Sequence, residues 1–383
     1  MSNQQEVAII GIGLHPFGRH ELTAAQQGAF AVRAALKDAG IHWGQVQFAA
    51  GGSQDGGNAD ALVNYLGLSG LPFVNVKNGC ATGGSALGMA QSAIASGSAD
   101  IAVAVGFDKH PRGAFSLKPE EWGLPHWYGE TGLMLTTQFF ALRIQRYLHD
   151  HGLDPSVLAA VAARGYRNGA NNSQAWRRTA LSEEQIAAAS MLNPPLTQYM
   201  FCSPSEGAAA VVLASAKKVR ELGARPVWIK AISLATRQHG TFEVFTTRLP
   251  AELSTSTTVA ASRAAYEKAG VGPSDVQVAQ VLDTDAGSEL IQIAENGFCE
   301  HGEQDRLMRS GATELGGRIP INTDGGCMAN GEPIGASGLR QVHEVCLQLR
   351  GDAGSRQVPE GPKLGYTQVY GAPGVSAVTI LQV

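Results

Sequence analysis

Charge is scarce in this 383-residue chain: 16% of the residues are Asp, Glu, Lys or Arg, and the net charge is −4. No run or stripe of Lys and Arg stands out, so nucleic-acid binding has no electrostatic footing. No apolar run reaches the ~20 residues that a helical membrane span needs, and none is expected. The five cysteines, Cys80, Cys202, Cys299, Cys327 and Cys346, are scattered, odd in number and without Cys-x-x-Cys spacing. That pattern speaks against a disulfide framework and against a structural zinc site. No metal-ligand cluster and no P-loop is present, and the opening GIGLHPFG is not the Gly-x-Gly-x-x-Gly of a dinucleotide site. The first residues show no charged segment leading into a short apolar one, so a secretory leader is not expected and a cytoplasmic location is.

Apolar residues and glycine are what the chain has in quantity, at 44% and 47 residues. This is enough for a large core or two fused domains. Strand and helix patterns alternate. An apolar strand opens at VAIIGIGLHPFG, and a helix over 22–39 follows, with Ala25, Ala29, Val32, Ala35 and Leu36 at helical spacing. Strands over 47–51 and 73–76, an Ala-rich helix after Cys80 and the strand IAVAVGF continue the first half. A long segment over 108–204, rich in aromatic and polar residues, interrupts the alternation with helices over 138–148 and 155–163. EGAAAVVLASAKKV then closes the half. A second half restarts with VWIKAISLAT: helix 259–269, strand 276–282, helices 287–296 and 336–349, and two final strands, YTQVYG and VSAVTILQV. Short apolar strands alternating with helices predict an α/β protein whose sheets are covered by helices. The repeated order points to a duplicated fold, with halves at 1–224 and 225–383.

The most informative residue is Cys80, in PFVNVKNGCATGGSAL. A strand ends at Asn78-Gly79 and a helix begins just beyond the cysteine. Gly79, Gly83 and Gly84 permit a tight turn and close approach of a ligand. A thiol beside the positive end of a helix is expected to have a lowered pKa and raised nucleophilicity. The alternative is a small buried hydrophobe, the commoner fate of a free cysteine.

Three segments together resemble the thiolase superfamily, in particular the sterol-carrier-protein-type thiolases and their lipid-transfer-protein relatives. NGCATGGSAL is similar to the family's nucleophile motif, CSPSEGAAAVVL to the segment closing its first half, and GGRIPINTDGGCMANGEPIGASGLRQ to the motif that starts its last helix. The resemblance runs nearly end to end. It implies a thiolase fold: two duplicated βαβαβαββ halves in a layered α/β/α/β/α sandwich, with the insertion over the site. It also implies acyl-CoA as substrate, coenzyme A as co-substrate with no bound cofactor, a homodimer, and Cys80 as the carrier of an acyl group whose oxyanion backbone N–H groups stabilise. Relatives often pair with a small OB-fold, zinc-ribbon subunit that binds acyl-CoA, so such a partner is expected too.

The departures from the family pattern bear on mechanism. Gly331-Glu332-Pro333 stands where the family has Gly-His-Pro. Glu332 is a candidate acid or base; its alternative is a carboxylate leading a helix. Leu282-Asp283-Thr284-Asp285 stands in place of His-Asp-Cys-Phe. Thr284 cannot supply a thiolate. Asp283 and Asp285 are possible replacement bases and equally good caps for the helix over 287–296. In the C-terminal turn Val369-Tyr370-Gly371-Ala372-Pro373-Gly374, Tyr370 takes the place of a second cysteine, either as acid/base or as an aromatic closing a strand. His126, Cys327, Asn322 and Gly371 are the candidate substrate contacts, His126 lying in the insertion and the others in the motif segments. Tyrosines that serve thiolase-like lyases are absent at Phe245-Thr246-Thr247 and Glu332-Pro333.

The leading expectation is a thiolase-type acyltransferase. It cleaves a β-ketoacyl-CoA with coenzyme A, or runs the reverse condensation, through acyl-Cys80. The altered base set suggests a bulky, branched or aromatic substrate, as in benzoylsuccinyl-CoA thiolases. The alternatives are a retro-aldol lyase on a β-hydroxyacyl-CoA, as in sterol side-chain shortening, and a non-catalytic acyl-CoA-binding subunit.

Overall fold

The computed structural model describes residues 5–122, 125–239, 255–372 and 374–383. The first half runs β1 (Val7–Gly18), α1 (Ala24–Ala39), β2 (Phe48–Gly52), α2 (Val63–Leu66), β3 (Phe73–Asn75), α3 (Thr82–Ala95) and β4 (Ile101–Lys109). The insertion carries α4 (Trp127–Glu130), α5 (Thr136–His151), α6 (Val157–Ala170), α7 (Glu183–Ala187) and the hairpin β5 (Met191–Asn193) and β6 (Leu196–Thr197). β7 (Glu206–Ser215) and α8 (Ala216–Leu222) follow. The second half runs β8 (Val227–Thr236), α9 (Thr257–Ala269), β9 (Val278–Val281), α10 (Ala286–Glu295), α11 (Gln304–Arg309), α12 (Gly326–Asn330), α13 (Ser337–Arg350), β10 (Leu364–Gly371) and β11 (Val375–Gln382).

The strands lie in the order β3-β2-β4-β7-β1-β8-β11-β10-β9. The duplication is visible in the pairing. In the first half β2 and β4 are parallel, while β7 is antiparallel to both β4 and β1. In the second, β9 and β10 are parallel, while β11 is antiparallel to both β10 and β8. Even the edge is echoed: Ile321 bridges Ala279 in parallel, as β3 pairs with β2. The halves meet along a short β1–β8 pairing at Ala8–Trp228 and Ile9–Val227.

α1 covers one outer face of the first-half strands, α9 covers β8 and β11, and α3 and α13 lie between the halves against strands of both. β7 is buried along its whole length, which explains why its sequence is a continuous apolar run rather than an alternating one. Glycine brings the two central helices together at their N-terminal ends. A Cβ on Gly83 would stand 2.8 Å from the Leu339 nitrogen, and one on Gly338 2.8 Å from the Gly84 nitrogen. This contact sets the Cys80 turn beside the Glu332 loop.

Some element ends differ from expectation. α6 continues to Ala170 through Gly165 and Gly169, where the sequence suggested an end at 163. Both glycines face α12, whose Met328 and Ala329 occupy the space a side chain would need. Tertiary packing against a neighbouring helix thus outweighs the low helix propensity of glycine. Among the described residues no helix is long and apolar enough to cross a membrane.

Candidate active site

Between the end of β3 and the start of α3, the chain makes a tight turn. Asn78 O accepts from Ala81 N at 3.1 Å and Gly79 O accepts from Thr82 N at 3.0 Å. Gly79 has φ +56, a left-handed conformation that glycine adopts without strain. Asn78 is fixed in turn by Thr82 Oγ1, which accepts its N–H at 2.9 Å, and by Ser85 Oγ, at 2.9 Å from its side-chain nitrogen. The turn rests on the β10–β11 corner, where Ala372 O lies 3.2 Å from a Cβ placed on Gly79. Cys80 therefore projects into a cavity of ≈ 230 Å³ at the carboxyl ends of β2, β3 and β4. The cavity's polar side is formed by Cys80, Asp55, His110, Thr284 and Glu332. Its apolar wall is formed by Phe115, Leu117, Phe140, Ile334 and Ala372.

Glu332 is buried, and its two carboxylate oxygens have different surroundings. Oε2 accepts from Thr284 Oγ1 at 3.0 Å and from Cys202 Sγ at 3.2 Å. Oε1 has no partner among the described residues. Its backbone N–H donates to Ser203 O at 2.9 Å, which ties the loop to the segment just before β7. A carboxylate with one anchored and one free oxygen, in an apolar cavity, is a positioned proton acceptor.

Cys80 departs from the expectation of an acidic thiol. Burial pushes its pKa well above the ordinary thiol range, and the negative charge of Glu332 and hydrogen bonding to it push the same way. These effects outweigh the helix end, so the resting side chain is a thiol. Cys202 is raised for the same reasons, burial first and Glu332 second.

His110, absent from the sequence reading, is a main strut of the site. Its Nδ1 lies 2.7 Å from Asp55 Oδ2, and its Nε2 accepts the Ile334 N–H at 3.1 Å. Because Nε2 accepts, Nδ1 carries the proton and donates it to Asp55. That hydrogen bond is the main cause of a lowered Asp55 pKa. Asp108 accepts N–H groups from Gln54, Asp55 and Gly56 of one half and from Gly335 of the other, the last at 2.6 Å. Both residues sit at or just past the carboxyl end of β4, the side of the sheet on which ligands gather in α/β folds. That position was the available signal in the sequence.

The other candidates fall in different places. Asp283 is buried and accepts Cys327 N at 2.7 Å and Met328 N at 3.2 Å, holding the start of α12. Burial and the charge of Glu289 push its pKa up. Asp285 caps α10, accepting Ser288 N at 2.7 Å, and burial raises its pKa to about 6. Tyr370 is buried with the Arg143 guanidinium 4.9 Å from its ring centre. Cys327 is in the core, its pKa raised by burial. Asn322 is also internal: it accepts Val281 N at 3.0 Å and donates to Glu289 Oε2 at 2.9 Å. None of these five lines the cavity. Gly371 packs against the Cys80 turn, where a Cβ would stand 2.9 Å from Ala81 N. His126 is 77% exposed and pairs with Glu120 at 2.9 Å, a hydrogen bond that raises its pKa. Phe245, Thr246, Thr247 and Pro373 lie outside the described residues. Among the described residues no group of three or more His, Cys, Asp and Glu is arranged to hold a metal ion.

The comparisons with known proteins agree with this architecture. The family model described as Thiolase, N-terminal domain matches residues 7–179, and that described as Thiolase C-terminal domain-like matches 245–382. The acetyl-CoA acetyltransferase of Methanothermobacter thermautotrophicus is 32% identical over 393 residues, covering 97% of this chain and 98% of that one. The benzoylsuccinyl-CoA thiolase subunit BbsB of Thauera aromatica is 30% identical, covering 97% and 96%. Among solved structures, the chain of an Ltp2-ChsH2(DUF35) aldolase superposes with a TM-score of 0.89 at 23% identity, over 100% of this chain and 99% of that one. At that identity it speaks for the fold.

Proposed function

This chain belongs to the thiolase family, and we propose that it is an acyl-CoA C-acyltransferase that cleaves or forms a carbon–carbon bond through an acyl-Cys80 intermediate. The observation that carries the proposal is that Cys80 and Glu332 line one apolar-walled cavity and act on each other electrostatically, Glu332 keeping one carboxylate oxygen without a hydrogen-bond partner among the described residues. In the cleavage direction Cys80 sulfur attacks the keto carbon of a β-ketoacyl-CoA, and Glu332 takes the thiol proton. The bond between the α and β carbons breaks, and the α carbanion of the departing acyl-CoA takes that proton back from Glu332. Coenzyme A thiol then receives the acyl group from Cys80, and its own proton returns the cysteine to the thiol form. One carboxylate thus serves both halves of the proton balance.

Phe115 and Phe140 in the cavity wall favour a bulky or aromatic acyl group over acetyl. The substrate name carried by the Thauera relative supports this reading. A homodimer, and a small acyl-CoA-binding partner subunit of OB-fold and zinc-ribbon type, belong to the same proposal. The paired name of the aldolase structure and the word subunit in the relative's name support the partner.

One observation favours a second reading. A thiol held well above its ordinary pKa is a reluctant nucleophile. A retro-aldol cleavage of a β-hydroxyacyl-CoA needs only Glu332: it takes the hydroxyl proton, the α–β bond breaks to leave an aldehyde or ketone, and the carbanion takes the proton. Trapping with acyl-CoA and peptide mapping by mass spectrometry separates the two. An acyl adduct on Cys80, and loss of turnover in Cys80→Ala, are expected. Full turnover in Cys80→Ala would remove the nucleophile from the mechanism and leave the lyase.

A further inference from the structure

We propose that His110 is a positioning residue for Glu332: held in one tautomer by Asp55, it fastens the loop that presents the carboxylate to Cys80. The inference rests on the assignment of Glu332 as the base and adds a cause for its placement.

The loop Glu332–Gly335 comes from the second half of the chain but is pinned by the first. Three consecutive groups fasten it. Glu332 N donates to Ser203 O at 2.9 Å, Ile334 N to His110 Nε2 at 3.1 Å, and Gly335 N to Asp108 Oδ2 at 2.6 Å. Of the three acceptors, His110 Nε2 is the one whose acceptor role depends on a tautomer, and that tautomer is set by the Asp55 bond at Nδ1.

His110 is 2% exposed and is held from several elements. Asp55, from the segment after β2, bonds Nδ1. Asp108, near the end of β4, lies 3.7 Å from Nε2. Glu332 shares the cavity, and Lys77 bears on Asp55. The Arg19 guanidinium bonds the His110 carbonyl. Phe115 packs edge-on at 5.0 Å between ring centres, which fixes the plane of the imidazole. Asp55 has a further effect: by taking the Nδ1 proton it leaves Nε2 as the acceptor. The dyad is thus a tautomer-setting clamp on the loop. Both imidazole nitrogens are occupied, so His110 does not itself exchange protons with substrate.

Two substitutions separate the two ends of the imidazole. His110→Gln keeps an acceptor near the Nε2 position. His110→Asn keeps a donor toward Asp55 and loses the acceptor for Ile334. Hydrogen exchange of the 333–336 backbone, followed by mass spectrometry, reads the clamp without reference to turnover. Exchange there is expected to rise in His110→Asn and to stay near wild type in His110→Gln. His110→Asn is expected to lower kcat about ten- to a hundredfold with a much smaller change in KM, as misplacement of a reacting group does. His110→Gln is expected to retain most of kcat. If His110→Asn does not fold, Asp55→Asn tests the same clamp, because the Asp55 side chain is 49% exposed and its loss leaves the core untouched. Exchange at 333–336 is expected to rise there too, because the tautomer of His110 is no longer fixed. Unchanged exchange at 333–336 in His110→Asn, raised exchange with unchanged kcat, or equal losses in His110→Asn and His110→Gln would each overturn the proposal. Failure of the underlying assignment looks different: Glu332→Gln would then turn over normally, whatever the His110 variants do.

Discussion

At the scale of single residues, the Cys80–Glu332 pair makes opposite predictions for reactivity and turnover. Glu332 is a cause of the raised Cys80 pKa. In Glu332→Gln the charge is gone, the thiol becomes more acidic, and more thiolate exists at any fixed pH below its pKa. Alkylation of Cys80 by iodoacetamide is therefore expected to accelerate, while turnover falls by about a hundredfold or more for loss of the general base. Parallel losses of both would mean that Glu332 acts by holding the fold. Both residues were legible in the sequence because each sits in a contiguous motif. His110 was not, because its partner Ile334 lies 224 positions away and nothing local marks the contact. Thr284 was read only for the thiolate it lacks. Its hydroxyl anchors the carboxylate that the sequence analysis had singled out.

At the scale of elements, the positions that mattered most for geometry were those whose local preference was overruled. The helix expected over 22–39 starts at Ala24, because Thr23 caps α1 with a side-chain bond to Gln26 N at 3.2 Å, and Gly40 closes it in the left-handed region. The extent of α6 was not readable, because Gly165 and Gly169 look like stops and serve as contact points. The two differ in a testable way. A Cβ on Gly165 would lie 3.2 Å from Met328 Cβ on a flexible side chain, whereas one on Gly169 would collide with Ala329 Cβ. Gly169→Ala is expected to cost about 1–3 kcal/mol in denaturant unfolding, in the range of overpacked cores. Gly165→Ala should cost clearly less, since the gain in helix propensity offsets a small adjustment. Equal losses would show that α6 and α12 do not pack through these glycines. The same logic explains the short α12, a helix of five residues that no periodicity could reveal. It is held by Asp283 and Asp324 oxygens accepting its first N–H groups.

At the scale of the whole molecule, the site exists because two similar halves bring different residues to one place. The first half supplies Cys80, His110 and Asp55, and the second supplies Thr284, Glu332 and Ala372. The duplicated order of strands and helices could be read from the alternation of short strand and helix patterns, with near-continuous apolar runs at the buried β4 and β7. The seam could not be read, because it depends on which strand edges meet. Burying so many polar groups at the seam makes stability depend on pH, and Asp285 gives that dependence a sign. Its folded pKa is raised from 3.8 to about 6 by burial, despite its bonds to Ser288. Between those values the folded chain holds a proton that the unfolded chain has released. The aspartate's contribution is therefore most favourable below pH 3.8 and is lost as pH rises to about 6. Above that the charged carboxylate costs roughly 1–3 kcal/mol, a shift of about two units at 1.36 kcal/mol each being the upper bound. Asparagine caps a helix as well as aspartate does and carries no charge to bury. Asp285→Asn is therefore expected to raise the unfolding free energy at pH 7.5, with the gain shrinking steadily toward pH 4. A constant difference across that range would show that the substitution acts through packing or the cap, and not through the ionisation of this carboxyl.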